Sequence, residues 1–184
     1  EYYVPNNSII SICGNFKFEE IVKQIEEKFK TWQPKSVDTT TTKPNFNPCI
    51  VKKNKDIEQV NLAINLDAIP MGPGLRIDYK TARPILNNVF GGSISSRLFQ
   101  KIREEKGLAY SIYSSQTLYE DCGELGIFAS TSTENIQEVY KSILEEIELI
   151  RNEYISPQEI HESKEQLKGS YMLDLESTSS TMMS

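Results

Sequence analysis

Histidine is almost absent from this sequence: His161 is the single histidine among 184 residues. A zinc site of the H-E-x-x-H or H-x-x-E-H type needs two imidazoles at helical spacing, so no such site can form within this chain. A serine or cysteine nucleophile would have to use the same imidazole, and no strained turn surrounds it. The sequence therefore predicts no metal site and no nucleophilic triad, and we expect His161 to lie in solvent near the start of the last helix.

Cysteine is also sparse. Cys13, Cys49 and Cys122 lie far apart and form no C-x-x-C pair, which excludes a zinc knuckle and gives no disulfide framework. We interpret the three cysteines as free thiols that are buried or partly buried. Such thiols favour a reducing, cytoplasmic compartment.

Long apolar runs and an excess of positive charge are missing as well. No segment approaches the roughly 20 apolar residues of a membrane span, and residues 1–7 lack the regions of a signal peptide. The net charge is −6, with Lys and Arg scattered among acids, which excludes the basic stripe of a nucleic-acid-binding domain. With 38% hydrophobic residues, the chain can build one core, or one domain and part of a neighbour.

Hydrophobic periodicity divides the chain into two parts. Residues 1–32 predict a strand over Ser8–Cys13 and a helix over Phe18–Trp32. Residues 33–48 hold three prolines and four consecutive threonines. They predict a linker and a domain boundary, because such residues offer little apolar area to pack.

Residues 49–184 predict one α+β domain. Strands are predicted at Cys49–Lys53, Gln59–Leu66, Leu108–Leu118 and Glu124–Thr131, and helices over Ala82–Phe90, Ile94–Lys106, Ile136–Ile150 and from Pro157 onward. Gly107 is expected to end a helix in the left-handed conformation, and Ser156 with Glu159 predicts a capping box. This order of elements predicts two layers, a mainly antiparallel sheet with helices packed on one face.

A few polar positions are candidates for a site. Gly91-Gly92-Ser93 precedes a helix but lacks both glycine patterns that cradle phosphate, so it indicates a tight interhelical turn. Arg103 lies in the last turn of a helix and Tyr110 opens the next strand, so both can emerge at the same end of these elements. The residues alone leave two interpretations open: a helix-dipole partner with a core-rim tyrosine, or a functional pair.

The stretch from Asn87 to Ser114 carries a long ordered pattern. It contains G-G-x-x-S-S-R-L-F at Gly91–Phe99 and R-E-x-x-G-L-A-Y at Arg103–Tyr110. In this order and spacing it resembles the second domain of pitrilysin/insulinase-family zinc metallopeptidases, which include the mitochondrial processing peptidases. Shorter matches near both ends extend the resemblance over nearly the whole chain.

The resemblance implies a clamshell of two similar α+β domains, of which the first carries H-x-x-E-H and zinc and the second carries no metal. Residues 1–32 would be the tail of the zinc-bearing domain, 33–48 the linker, and 49–184 the second domain, truncated at its C-terminus. Zinc would then belong to the missing upstream part of the protein. The implied partners are a peptide substrate and the missing first domain or a partner subunit, and we expect the isolated chain to be inactive.

The resemblance also implies roles for Arg103 and Tyr110. The phenol of Tyr110 would donate to the scissile carbonyl as it becomes an oxyanion, and the guanidinium of Arg103 would grip the substrate backbone. The implied function is that of a fragment of a zinc endopeptidase, which supplies cleft wall and transition-state contacts. The alternative is a non-catalytic scaffold or partner subunit of the same family.

The family's domains end in a strand and a helix that this chain lacks after Ser184. Because the two domains look like repeats, the strand Ser8–Cys13 and the helix Phe18–Trp32 correspond to that piece. We therefore expect them to complete the sheet of the second domain, either within one chain or exchanged between two chains of a homodimer.

Overall fold

The computed structural model describes residues 2–38, 40, 42–72 and 77–183, with the backbone alone described for 77–79. It divides into two compact units, one made of Glu1–Thr42 with Lys168–Ser184 and the other of Lys43–Leu167. The α-helices are α1 (Phe18–Phe29), α2 (Ile77–Asn87), α3 (Ile136–Asn152), α4 (Pro157–Asp174) and α5 (Thr178–Met183), and the strands are β1 (Val60–Asp67), β2 (Ala109–Leu118) and β3 (Gly123–Thr131). Two π-helical segments, Asn88–Gly92 and Phe99–Glu105, complete the larger unit.

The sheet has the order β1-β3-β2, and β3 pairs antiparallel with both neighbours. The exposure of side chains alternates along β1, as the period of two in the sequence predicts. The hairpin predicted from residues 108–131 is confirmed as β2 and β3. The predicted α+β class is confirmed, and the domain boundaries inferred from the sequence stay a prediction.

The core of the larger unit forms where one face of the sheet meets the π-helical segments and α3. Its buried residues come from all of these elements: Phe90, Leu98, Ile102, Ala109, Ile112, Ile127, Ala129, Val139 and Ile143. Partly buried aliphatic side chains of β1 pack against the same cluster. Helices and sheet therefore share one apolar layer, which is what makes the two-layer arrangement stable.

The smaller unit contains α1, α5 and extended chain. Ser11 Oγ donates to the Met182 carbonyl at 2.9 Å. Asn6 pairs with the backbone of Lys35, through its Nδ2 at 3.0 Å and its Oδ1 at 3.2 Å. The helix predicted over Phe18–Trp32 is present but ends at Phe29.

Two predicted strands are wrong. Ser8–Cys13 and Cys49–Lys53 form no ladder with any strand, and Ile9 and Ile50 are 96% and 100% exposed. Apolar alternation favours a strand only when a neighbouring strand supplies ladder hydrogen bonds and a packing surface, and neither segment is paired with a strand among the described residues. The expectation that Ser8–Cys13 completes the sheet within one chain is therefore wrong, while exchange between two chains stays a prediction.

The start of α4 is fixed by a cap and a bidentate ion pair. Ser156 Oγ accepts from the Glu159 amide at 3.2 Å, and Glu159 Oε2 accepts from the Ser156 amide at 2.9 Å, which confirms the predicted capping box. Arg97 donates to the same carboxylate through Nε at 2.7 Å and a terminal nitrogen at 2.9 Å. The hydrogen bond from Arg97 is the main reason why the pKa of Glu159 falls from 4.5 to about 2.

A second polar contact ties the first π-helical segment to α4. Asn88 is buried, and its Nδ2 donates to Ser163 Oγ and Gln166 Oε1, each at 3.0 Å. Because a buried amide is costly without partners, this pair of acceptors fixes where the segment lies against the helix.

The backbone of the first π-helical segment lies against β2 with no room for a side chain. A Cβ built on Gly91 would stand 2.5 Å from Ser114 Oγ, 2.7 Å from the Ser114 nitrogen and 2.9 Å from Ser114 Cβ. Ser114 Oγ also donates to Asn87 Oδ1 at 2.8 Å. The glycine that the sequence marks as a turn is therefore a contact point between helix and sheet.

The first test concerns the stability of the protein at low pH. Because the folded pKa of Glu159 lies below its ordinary value of 4.5, the stability it contributes is complete above pH 4.5 and is lost as the pH falls towards 2. We expect Arg97→Met to lower the unfolding free energy by about 1–2 kcal/mol near neutral pH and by less at pH 3. Urea unfolding between pH 7 and pH 3 measures this difference.

Arg151 supplies the control, since its contact with Glu148 is 3.5 Å long between side chains that are 75% and 58% exposed. Arg151→Met should change stability little at any pH. If Arg97→Met lowered the unfolding free energy by the same amount at every pH, the lowered pKa of Glu159 could not be assigned to its pairing with Arg97.

The second test concerns Gly91. Gly91→Ala should destabilise the protein by about 1–3 kcal/mol, because the added methyl meets the backbone of Ser114. Gly169 lies inside α4 with nothing within 4 Å of an added Cβ, so Gly169→Ala should be neutral or stabilise by up to about 1 kcal/mol. Thermal unfolding of both variants compares them, and equal stability would contradict the close approach.

Candidate functional site

The second π-helical segment carries Arg103 and ends at Glu105, two residues before Gly107. Lys106 donates its amide to the Lys101 carbonyl at 3.2 Å, and Leu108 donates to the Ile102 carbonyl at 2.9 Å. Gly107 has φ +63°, which confirms its predicted left-handed conformation. The closing bond reaches one residue further back than in the usual Schellman cap, because the preceding turn is π-helical.

Arg103 contacts an aromatic ring and, more weakly, a carboxylate. Its Cζ lies 4.6 Å from the centroid of the Phe99 ring. Its Nε lies 4.0 Å from Glu104 Oε1, and the two side chains are 42% and 53% exposed. Aromatic stacking on its own helix therefore holds this guanidinium more closely than ion pairing does.

Tyr110 occupies a β-bulge. Ala109 pairs with Thr131 and Ser111 pairs with Ser130, which leaves Tyr110 as the extra residue. Tyr110 and Ser111 are both exposed, while Ala109 and Ile112 on either side are buried. The bulge thus turns the phenol, which is 60% exposed, away from the core without moving the rest of β2 out of register.

A cleft of about 300 Å³ lies between the π-helical segments and β2. It is lined by Gly91, Gly92, Ser93, Ile94, Phe99, Arg103, Ser111, Ile112 and Tyr113. Arg103 is the charged residue of this lining. The cleft therefore combines one cation with three hydroxyl groups, those of Ser93, Ser111 and Tyr113, and with apolar walls.

The two predicted site residues lie at this cleft in different ways. Arg103 lines it, whereas Tyr110 adjoins it through its neighbour Ser111. The ring that Arg103 contacts is that of Phe99, so the described residues show no contact between Arg103 and Tyr110. The expectation that the two side chains emerge at a common end of these elements stays a prediction.

Sequence reasoning missed two features of this site. The sequence contains one indication of the bulge: the apolar residues Ala109 and Ile112 are three positions apart, whereas strict alternation gives an even spacing. It contains no indication of the π-helical geometry, because an apolar stripe does not distinguish a π-helix from an α-helix over one or two turns. Phe99 and Arg103 are four residues apart, a spacing that brings two side chains together on one face of a helix.

The residues that the structure describes do not fit a zinc ion. His161 is exposed on α4, which confirms its expected place. Cys13 and Cys49 are exposed rather than buried, and Cys122 is half-buried. Across the described ranges, no group of three or more His, Cys, Asp or Glu side chains lies close enough together to hold a metal.

The third test is elemental analysis of the chain. After incubation with zinc and dialysis, we expect far less than one zinc per chain, because the donors needed for tetrahedral binding are not assembled. His161→Ala should leave the residual zinc content unchanged. About one tightly held zinc per chain would contradict this prediction.

The described helices include none long and apolar enough to cross a membrane. A second cavity of about 300 Å³ has Asn88, Glu159 and Ser163 in its lining. Glu159 is already paired with Arg97, and Asn88 with Ser163.

Relatives with closely similar sequences are called zinc proteases. The chain is 39% identical over 182 residues to "Uncharacterized zinc protease YmxG" of Bacillus subtilis, covering 99% of this chain and 43% of that protein. It is 30% identical over 178 residues to an "Uncharacterized zinc protease" of Rickettsia felis, covering 94% and 41%. The chain thus spans less than half the length of these curated relatives.

Solved structures share the fold. A protease from Helicobacter pylori has a TM-score of 0.79 at 19% identity, covering 98% of this chain and 44% of that one. A conserved protein from Enterococcus faecalis has a TM-score of 0.71 at 24% identity, covering 92% and 39%. A peptidase M16 inactive domain from Pseudomonas fluorescens has a TM-score of 0.56 at 25% identity, covering 62% and 27%.

A family match over most of the chain confirms the resemblance found in the sequence. Residues 1–167 match the family described as "Peptidase M16 inactive domain". This range contains the cleft, Arg103 and Tyr110. The chain belongs to the M16 peptidase family and represents its inactive domain.

Proposed function

We propose that this chain is part of a zinc-dependent endopeptidase, in which it supplies one wall of the substrate cleft and contacts the peptide through Arg103 and Tyr110. The observation that carries the proposal is the exposure of both groups at one cleft: Arg103 lines it and the bulge presents Tyr110 beside it. Neither side chain is used to fill the core.

Arg103 suits the binding of a peptide backbone. A guanidinium has five N–H donors in one plane, which match carbonyl oxygens of an extended chain. Phe99 and Ile112 form apolar walls beside the charge, and a peptide bound against them would displace water and strengthen such hydrogen bonds. A peptide substrate is therefore the ligand class that this lining favours.

Tyr110 suits the stabilisation of developing negative charge. Its phenol O–H donates a hydrogen bond, and a donor aimed at a forming oxyanion lowers the reaction barrier by about 2.7–4 kcal/mol. Exposure on a bulge gives the hydroxyl access to a substrate without unfolding the strand. In this proposal the ring of Tyr110 stays in place and only its hydroxyl reaches the reacting carbonyl.

Zinc belongs to an upstream domain in this proposal, because the donor set of this chain does not fit the metal. The names of the curated relatives support a zinc protease as the whole protein. A cytoplasmic location, expected from the scattered cysteines, is part of the same proposal.

A non-catalytic scaffold or partner subunit is the second candidate. It would give Arg103 and Tyr110 packing roles alone. The exposure of Tyr110, at 60%, and of Arg103, at 42%, argues against that, since a packing residue loses most of its surface to neighbours. The lack of a metal donor set among the described residues is compatible with both candidates.

The fourth test is Tyr110→Phe in a protein that includes the upstream domain. If the hydroxyl donates to the oxyanion, kcat should fall by about 10²–10³-fold with a smaller change in KM. Tyr154 is 95% exposed and lies outside the cleft, so Tyr154→Phe should keep full activity. Unchanged turnover in Tyr110→Phe would return Tyr110 to a structural role and favour the scaffold.

The fifth test is Arg103→Lys in the same protein. A lysine keeps the charge but loses the planar fork, so kcat/KM should fall by about 10–100-fold, the equivalent of one or two charge-assisted hydrogen bonds. Arg151→Lys changes an exposed arginine away from the cleft and serves as the matched control. Equal kinetics in the two variants would remove Arg103 from the site.

A further inference from the structure

Two neighbours compete to hold the Arg103 side chain. The Glu104 carboxylate is 4.0 Å away between exposed groups, and such a pair contributes little to side-chain position. The Phe99 ring is 4.6 Å from Cζ, well within the roughly 6 Å over which a cation and an aromatic face attract. The ring is therefore the stronger determinant of where the guanidinium lies.

Phe99 belongs to the wall of the cleft. It is half-buried and lines the cleft together with Ile112, and its chain neighbour Leu98 has no exposed surface. An arginine side chain that contacts nothing can adopt many rotamers. Contact with the half-buried ring restricts this freedom before any ligand binds.

The kind of contact decides which donors remain for a ligand. A ring attracts the guanidinium through its face, whereas the N–H donors lie in the guanidinium plane and point outwards. A carboxylate in the same place would accept hydrogen bonds from two of those donors. A ring thus positions Arg103 while leaving its hydrogen-bonding capacity for another partner.

We propose that Phe99 is a positioning residue that holds the Arg103 guanidinium in the cleft with its N–H donors directed at the backbone of a bound peptide. The peptide as ligand rests on the proposed function, whereas the stacking is a property of this chain alone. Phe99 acts through Arg103 and has no reacting role of its own.

Nuclear magnetic resonance of the 184-residue chain tests the stacking. The Cδ and Nε protons of Arg103, identified by their loss in Arg103→Lys, should be shifted upfield by the ring. The shift should vanish in Phe99→Leu and persist in Phe99→Tyr, which keeps the aromatic face. Unshifted protons in the unmodified chain would overturn the proposal, even if Phe99→Leu did not fold.

Kinetics of a protein that includes the upstream domain test the role. Phe99→Leu should lower kcat/KM by about two- to five-fold, the value of one cation–π contact, and Phe99→Tyr should restore it. In an Arg103→Ala background, Phe99→Leu should cause no further loss. Equal losses in both backgrounds would mean a structural role and would overturn the proposal.

The outcomes also separate this inference from the proposed function. If Arg103→Ala lowers activity and Phe99→Leu does not, the positioning role is wrong and the proposed function stands. If Arg103→Ala has no effect on activity, the proposed function is wrong, and the role of Phe99 in substrate binding is wrong as well. The upfield resonances would then still report the stacking by itself.

Discussion

The close approach of Gly91 to Ser114 is the constraint on which the larger unit depends. A Cβ at Gly91 would lie 2.5–2.9 Å from three atoms of Ser114, so the helix backbone touches the strand directly. The Ser114 hydroxyl joins the same contact by donating to Asn87 at 2.8 Å. This contact fixes the distance between helix and sheet, and the cleft opens beside it.

Irregular backbone near this contact positions the two candidate side chains. A π-helical segment carries Phe99 and Arg103, and a left-handed Gly107 turns the chain into β2. The bulge at Tyr110 then moves one phenol out of the core. π-helical turns and bulges are uncommon and tend to lie near functional sites, because they aim side chains that regular elements cannot.

Most helices and strands of the larger unit could be predicted from the sequence, whereas its π-helical turns and its bulge could not. The alternation in β1, the stripe of α3 and the capping box at Ser156 involve residues close together in the chain, and all are present. Ser8–Cys13 has the same kind of pattern but no strand beside it, which local periodicity cannot reveal.

The sequence could single out candidate residues but not the geometry around them. The spacing of Arg103, Gly107 and Tyr110 resembles a family pattern, which singled out the two residues. Their surroundings depend on long-range packing: Gly91 against Ser114, and Arg97 against Glu159. Such contacts join residues far apart in the chain, so only the fold reveals them.

The most direct test is a crystal structure of the protein with its upstream domain and a bound, slowly cleaved peptide. The account predicts that the Tyr110 hydroxyl lies within hydrogen-bond distance, about 2.6–3.2 Å, of the scissile carbonyl oxygen. It also predicts that the Arg103 guanidinium donates to a backbone carbonyl of the same peptide. A peptide bound elsewhere, with both side chains in solvent, would contradict the account.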